Sequence, residues 1–230
     1  MKSTKWIYIL IFCLTAALFG CKGKGSSDKN DEMVICRPLP AKLRTLDAGN
    51  YRDKYSGMVI YQICEPLYVF HYLKRPYELI PLVAESMPQV SPDGLVYTIP
   101  LKKGVYFQDD ACFPGGKGRE LKASDFIFAL KRLANIRYAS QNWSILDDRI
   151  VGLNDFREYT TQFKKEWDVD YSKDVEGLKA LDDYTIQIKL TKPWPQILDS
   201  ALTDACTAPV AKEAVDYYGE DIIAHPVGTG

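Results

Sequence analysis

The sequence predicts a mixed α/β fold, and a strand, a helix and a hairpin arm carry that prediction. Over Leu95–Leu101, large apolar residues occupy every second position from Tyr97 onward, which is the period of a half-buried strand. Over Ala123–Ala134, apolar residues recur at the i, i+3, i+4 and i+7 spacing of one helix face, with an acid in the first turn and two basic residues in the last. Over Tyr184–Leu190 the alternation returns after an Asp-Asp pair, which indicates a hairpin.

Weaker patterns predict the remaining elements, and no internal repeat is visible after residue 32. They comprise short strands at Met33–Arg37 and Leu67–Tyr72, a strand at Ser86–Val90 that a turn joins to Leu95–Leu101, a strand at Leu178–Leu181, and helices over Asp53–Cys64, residues 140–167, Gln196–Leu202 and Val210–Tyr218.

The composition excludes several classes of function. Apolar residues make up 47% of the 230 and charged residues 26%, which is the balance of a globular protein and not of a disordered one. Lys and Arg number 29 and Asp and Glu 30, so no excess of positive charge is available to neutralise phosphates, and we expect no nucleic-acid partner. The only histidines are His71 and His225, which excludes a multi-histidine metal site, and we expect no cofactor.

Residues 1–20 have the pattern of a bacterial signal peptide. A basic start precedes an uncharged run from Trp6 to Gly20, and about 15 apolar residues suit a signal peptide better than a bilayer span. The run ends Leu-Phe-Gly-Cys, which resembles a lipobox, so we expect Cys21 to be lipidated; an uncleaved anchor with a chance cysteine is the alternative. Lys22–Glu32 contains no apolar residue, and we expect residues 21–32 to form a lipidated, flexible tether.

Four further cysteines lie in the part of the chain that should fold, namely Cys36, Cys64, Cys112 and Cys206. In an exported protein they can form two disulfides, with three connectivities open. Four buried free thiols are the alternative, and the sequence leaves both open. No Cys-x-x-Cys pair is present, so a zinc site is not predicted.

No motif of an enzyme active site is recognisable. The glycine-rich stretch Pro114–Gly118 lacks the spacing of a phosphate-binding loop and reads as a surface turn. The acid pairs Asp109-Asp110 and Asp147-Asp148 consist of adjacent residues, whose side chains do not converge by spacing alone. No serine or cysteine nucleophile is placed with a histidine base. We therefore expect a protein that is not an enzyme.

Several short motifs follow one another along the chain. They are Leu82–Ser86 (LVAES), Ser91–Thr98 (SPDGLVYT), Leu101–Phe107 (LKKGVYF), Leu121–Phe126 (LKASDF), Ala180–Ile186 (ALDDYTI), Leu190–Pro193 (LTKP) and His225–Gly230 (HPVGTG). In this order they resemble the extracellular solute-binding protein family 5, the peptide- and oligopeptide-binding components of ABC importers. The chain departs from the family pattern at Ala48, where a proline is usual, and at Lys122, where a threonine usually caps the following helix.

The resemblance implies a periplasmic-binding-protein-like fold of two lobes, of which residues 33–230 hold most of lobe one and are incomplete at the C-terminus. It implies capture of a peptide or oligopeptide by hinge closure between the lobes and delivery to an ABC permease in the inner membrane. We expect a monomer in the cell envelope, lipid-anchored and facing the periplasm or the exterior.

The resemblance also suggests ligand-binding residues. In relatives, lobe one contacts the ligand just after a Leu-Asp step, which here precedes Tyr51, Arg52, Asp53 and Lys54. Ordinary surface charges at the start of a helix are the alternative explanation for these four residues. Two other functions remain open: a truncated structural or signalling lipoprotein that retains one lobe, and an exported hydrolase that uses paired carboxylates.

Overall fold

The computed structural model describes Cys36 and residues 38–230. The predicted signal peptide (1–20), Cys21, the tether (21–32) and all but Cys36 of the strand predicted at Met33–Arg37 lie outside the described residues. The chain divides into two units, Met1–Pro38 and Leu39–Gly230, and the second is described below. Across the described residues, no helix is both long enough and apolar enough to cross a bilayer.

Short helices and strands are interleaved over residues 39–230, which confirms the mixed α/β prediction. The α-helices are α1 (Lys54–Ile63), α2 (Ala123–Ala134), α3 (Leu153–Tyr159), α4 (Ile197–Ser200) and α5 (Lys212–Tyr218). The strands are β1 (Tyr68–Phe70), β2 (Leu79–Pro81), β3 (Gln89–Val90), β4 (Val96–Pro100), β5 (Leu178–Asp182) and β6 (Thr185–Lys189). Single 3₁₀ turns lie among them at Ala48–Asn50, Pro114–Gly116, Trp143–Ile145, Thr160–Gln162, Glu166–Asp168, Ala205–Thr207 and Gly219–Ala224.

An antiparallel sheet with the order β3-β4-β6-β5 provides one layer of the domain. The pairing of β4 with β6 sets Tyr97 opposite Ile188 and Ile99 opposite Ile186. All four side chains are buried, so the alternation predicted for these two strands is confirmed. Helix α2 packs against β5 and β6, and this contact is where the main hydrophobic core lies.

A separate two-stranded sheet is formed by β1 and β2, with Tyr68 opposite Pro81 and Phe70 opposite Leu79. The strand predicted at Leu67–Tyr72 is confirmed in β1. Strand β2 escaped prediction because its three residues are too few for a period and end in proline.

Helix α2 has the predicted bounds but a different environment. Its pattern predicts one buried face, whereas every residue except Ser124 is buried. Lys131 and Arg132, expected in the last turn as partners of the helix dipole, lie inside the domain. The Nζ atom of Lys131 donates to the carbonyl oxygens of Tyr171 and Lys173, at 3.0 and 2.9 Å. Buried cations are tolerated here because each has partners.

The start of α2 is held by Asp125 and not by the residue at the cap position. The Asp125 carboxylate accepts the backbone N–H of Lys122 at 2.8 Å, while the Lys122 side chain supplies no cap. Arg119 donates to both oxygens of Asp125, at 2.9 and 2.7 Å, and to Glu213 in α5 at 2.6 Å. The loss of the threonine cap is thus offset by an acid in the third helical position.

Arg132 is the most enclosed charge in the domain, with 2% of its side chain exposed. Its Nη1 and Nη2 atoms donate to the two oxygens of Asp47, at 2.8 and 2.7 Å, and its Nε donates to Glu166 at 2.5 Å. The guanidinium carbon lies 3.9 Å from the centre of the Tyr138 ring. Burial by itself would lower the pKa of Arg132, but the charges of Asp47 and Glu166 hold that pKa well above its usual value.

The helical character predicted over residues 140–167 is wrong for most of that range. Only Leu153–Tyr159 is α-helical, and 3₁₀ turns and loops make up the remainder. Gly152 adopts a positive φ of 76° immediately before α3, which separates this helix from the preceding turns. The helices predicted over Gln196–Leu202 and Val210–Tyr218 are present as the shorter α4 and α5.

Replacing Arg132 by Met should lower the free energy of unfolding by about 3–5 kcal/mol, because it leaves two enclosed carboxylates without their counter-ion. Urea denaturation followed by circular dichroism measures the loss. The control is Lys212→Met, which removes an exposed pair with Asp216 at 2.5 Å and should cost about 0.5 kcal/mol or less. Equal effects of the two substitutions would contradict the role assigned to Arg132.

Candidate functional site

The four residues that the family resemblance suggested lie together on one surface. Tyr51, Arg52, Asp53 and Lys54 line an open hollow of about 630 Å³. The remaining wall is one face of α1, formed by Gly57, Met58, Tyr61 and Gln62. We call this surface the α1 hollow.

Asp53 caps the helix that forms the wall of the α1 hollow. Its Oδ1 atom accepts the backbone N–H groups of Tyr55 and Ser56, at 3.1 and 2.8 Å, so α1 begins at Lys54 as the pattern over Asp53–Cys64 indicated. The hydrogen bond from Ser56 is the main reason that the pKa of Asp53 lies below its usual value. The Oδ2 atom has no partner among the described residues. Capping of α1 therefore accounts for the Oδ1 atom of Asp53 but not for its Oδ2 atom.

Tyr51 belongs to a cluster of polar groups that the sequence did not suggest. Its hydroxyl donates to Asp204 at 2.9 Å, and its oxygen lies 3.3 Å from the hydroxyl of Tyr61. The two rings meet edge to face, with centroids 6.2 Å apart. Burial, followed by the hydrogen bond with Tyr61 and the charge of Asp204, raises the pKa of Tyr51, so its phenol stays protonated. Gly57 permits this arrangement, since a Cβ there would lie 2.9 Å from the Tyr51 ring.

Arg52 and Lys54 make the rim of the α1 hollow basic. Both side chains are exposed, and neither forms an ion pair with a described residue. Arg52 donates through Nη2 to the carbonyl oxygen of Gln141 at 2.5 Å, which leaves its other donors free. The hollow thus combines two aromatic rings and a thioether with two cationic groups.

A larger cavity, of about 1200 Å³, lies among α2, β5 and the start of α5. Several of its polar groups have partners within the domain: half-buried Arg119 pairs with Asp125 and Glu213, and buried Lys131 donates to two carbonyl oxygens. The α1 hollow contains all four residues that the family resemblance suggested. We therefore take the α1 hollow as the candidate functional site, although it is smaller.

The four cysteines that the structure describes form no disulfide. Cys36 is exposed, Cys112 half-buried, and Cys64 and Cys206 buried, all as free thiols. The two disulfides that the sequence left open are therefore not present in the structure. Four buried free thiols were the alternative, and Cys36 differs from it because Cys36 is exposed. Burial raises the pKa of Cys64 to about 12, so this thiol is unreactive. Among the described residues, no group of three or more His, Cys, Asp or Glu side chains is arranged to hold a metal ion.

Residues 78–230 match the model of the bacterial extracellular solute-binding proteins, family 5 (middle region). The chain belongs to this family. The match covers all seven motifs from Leu82–Ser86 to His225–Gly230, so the resemblance drawn from the sequence is confirmed.

Relatives with known roles share both sequence and fold with this chain. The chain is 35% identical to the oligopeptide-binding protein AmiA of Streptococcus pneumoniae over 144 residues, 62% of this chain and 19% of the relative. It is 28% identical to the glutathione-binding protein GsiB of Escherichia coli over 199 residues, 86% of this chain and 31% of the relative. OppA of Haemophilus influenzae, solved in complex with the peptide RPPGFSPFR, superposes with a TM-score of 0.64 at 25% identity.

The superposition covers 83% of this chain and 33% of that OppA. The chain thus spans about a third or less of the length of the relatives that it matches. The prediction of a periplasmic-binding-protein-like fold, with one lobe in this chain, is confirmed over the part of the relatives that the chain covers.

Replacing Asp53 by Ala should lower the melting temperature by a few degrees at pH 7, because α1 loses its cap. Asp53→Asn keeps an acceptor oxygen and should lose less. Since the pKa of Asp53 is lowered in the folded protein, the cap contributes fully above the unfolded carboxyl pKa of about 4 and is lost as the pH falls through the folded pKa. Melting curves between pH 7 and pH 3 should therefore show the difference between wild type and Asp53→Ala shrinking toward low pH. A constant difference would contradict the cap.

Proposed function

We propose that this chain is lobe one of the substrate-binding component of an ABC importer, and that it captures peptides or oligopeptides. The observation that carries the proposal is the family membership together with relatives named for binding oligopeptides or glutathione. Glutathione is itself a small peptide, so the relatives agree on the class of ligand. Binding needs no cofactor, and the role is one of binding and not of catalysis.

The α1 hollow suits an extended peptide. Tyr51, Met58 and Tyr61 offer an apolar wall for side chains of different shapes, because aromatic rings and a thioether adapt to many partners. Arg52 and Lys54 offer cationic donors for a carboxylate, either the end of the peptide or an acidic side chain. One wall covers one side of a ligand, so a second lobe would close over it by hinge motion, and the closed form would be the one that a membrane permease accepts.

The same proposal includes an anchored location. Removal of residues 1–20 and lipidation of Cys21 would hold the domain at the membrane of the cell envelope, facing the periplasm or the exterior, with residues 21–32 as the tether. The domain would work as a monomer beside the permease. No nucleic acid takes part.

Tyr61→Ala should weaken peptide binding roughly ten-fold, because aromatic anchors of this kind dominate binding energies. Isothermal titration of the gene product that contains this sequence, against oligopeptides and glutathione, measures the change. Tyr217→Ala is the matched control, since Tyr217 is an exposed tyrosine on α5 that lies outside the α1 hollow. An equal loss in both variants, or in neither, would exclude the α1 hollow as the ligand surface.

Cys21→Ser should abolish lipidation, because the serine hydroxyl does not replace the thiol as acceptor. Labelling of cells with radioactive palmitate should mark the wild-type protein and leave the variant unlabelled, while Cys36→Ser should remain labelled. A palmitate label that persists in Cys21→Ser would overturn the anchor proposal.

A further inference from the structure

The loop between β1 and β2 presents the most exposed large apolar side chains among the described residues. We call residues 71–78, His71 to Glu78, the aromatic tip. Within it, Tyr72 is 87% exposed, Leu73 77% and Tyr77 70%. Surface clusters of this kind are uncommon on soluble proteins unless they contact something.

The aromatic tip is held in shape by its own polar groups. The His71 Nδ1 atom accepts the backbone N–H groups of Leu73 and Lys74, at 3.2 and 3.3 Å. The backbone N–H of His71 donates to the backbone carbonyl of Glu78 at 2.7 Å, which extends the β1–β2 ladder into the loop. Arg75 donates to the carbonyl of Lys74 at 2.7 Å. The loop is therefore ordered with its apolar side chains directed outward.

The base of the aromatic tip is braced by ring contacts. The guanidinium of Arg75 lies 4.3 Å from the centre of the Tyr77 ring, and Tyr77 meets Phe70 of β1 edge to face at 5.9 Å. Tyr72 and Leu73, which we call the apex, have no such ring contact with a described residue. The apex projects from a two-stranded sheet. A projection of this shape is better suited to insertion into a lipid bilayer than to packing against a flat protein surface.

The chemistry of the aromatic tip matches the interface of a membrane. Tyrosine places an apolar ring in the acyl region and a hydroxyl among the headgroups. Lys74 and Arg75 beside the apex can contact lipid phosphates, and each basic residue near an anionic surface strengthens binding about five-fold. One acid, Glu78, pairs with Lys74 at 2.7 Å, and Arg75 has no carboxylate partner among the described residues.

We propose that the aromatic tip inserts into the surface of a membrane that contains anionic lipid, and so gives the lobe a second point of attachment. This inference rests on the lipid anchor at Cys21, which brings the domain to the membrane, and not on peptide binding. An anchor at Cys21 is a single point of attachment. The aromatic tip would fix one face toward the bilayer.

The test measures how fast a cysteine at the apex reacts. The lipidated full chain carries Cys36→Ser, which removes the exposed native thiol, and either Leu73→Cys or, as control, Leu181→Cys, an exposed leucine of β5. Each protein is labelled with a water-soluble, membrane-impermeant maleimide in detergent, on phosphatidylcholine vesicles, on vesicles that contain phosphatidylglycerol and on native cell membranes. Vesicle flotation reports in parallel whether the chain is anchored.

We expect the labelling of Leu73→Cys to slow at least about five-fold on the anionic vesicles, with little change for Leu181→Cys. Adding Arg75→Gln should reduce the protection on anionic vesicles, and adding Tyr72→Ser with Tyr77→Ser should abolish it. Circular dichroism and thermal melting check that these variants are folded, independently of peptide binding.

Three results would overturn the proposal, and they are distinguishable. If the chain floats with vesicles but Leu73→Cys reacts as fast as in detergent, the aromatic tip does not enter the bilayer. Protection that occurs only in native membranes, and not on pure lipid, would assign the aromatic tip to a protein partner. A chain that does not float would remove the anchor, and the proposal with it, without bearing on peptide binding.

Discussion

The buried guanidinium of Arg132 is the interaction on which the arrangement of this domain depends. It joins the segment that precedes the α1 hollow, through Asp47, to the middle of the fold and to the 3₁₀ turn that contains Glu166. One cation faces two carboxylates there, so each member is stable inside only while the others stay in place. Removal of Arg132 would leave two enclosed carboxylates without their counter-charge.

The hydrogen bonds that start at Asp47 continue to the α1 hollow. Asp47 accepts the N–H of Gly49, and the carbonyl of Gly49 in turn accepts the hydroxyl of Ser140 at 2.5 Å. The Asn142 side chain donates to the carbonyl of Tyr51 at 3.0 Å. The backbone that leads into the α1 hollow is therefore fixed from residues about ninety positions away. If the α1 hollow binds a ligand as we propose, a wall held in this way would lose little freedom on binding, which favours affinity.

The paired charged residues of the interior and the cationic residues of the α1 hollow lie in different parts of the domain. The acids and bases of the interior, around Arg119 and Arg132, neutralise one another and hold elements together. On the α1 hollow, Arg52 and Lys54 form no ion pair with a described residue, and at the aromatic tip three large apolar side chains are mostly exposed. These are the two surfaces for which we propose a peptide ligand and a membrane contact.

Local patterns in the sequence determined most of the regular elements and the family, and tertiary structure decided the surroundings of those elements. The alternation in β4 and β6 and the bounds of α2 follow from neighbours a few residues apart, which is why they could be predicted. The burial of Arg132 could not, because its partner Asp47 is 85 positions away and a charged residue alone reads as exposed. Tyr51 was suggested by family resemblance, whereas its contact with Asp204 spans 153 positions and has no local signature. Short-range periodicity can be read directly from neighbouring residues in the sequence. Distant charges pair only after folding brings them together, so their pairing has no local pattern.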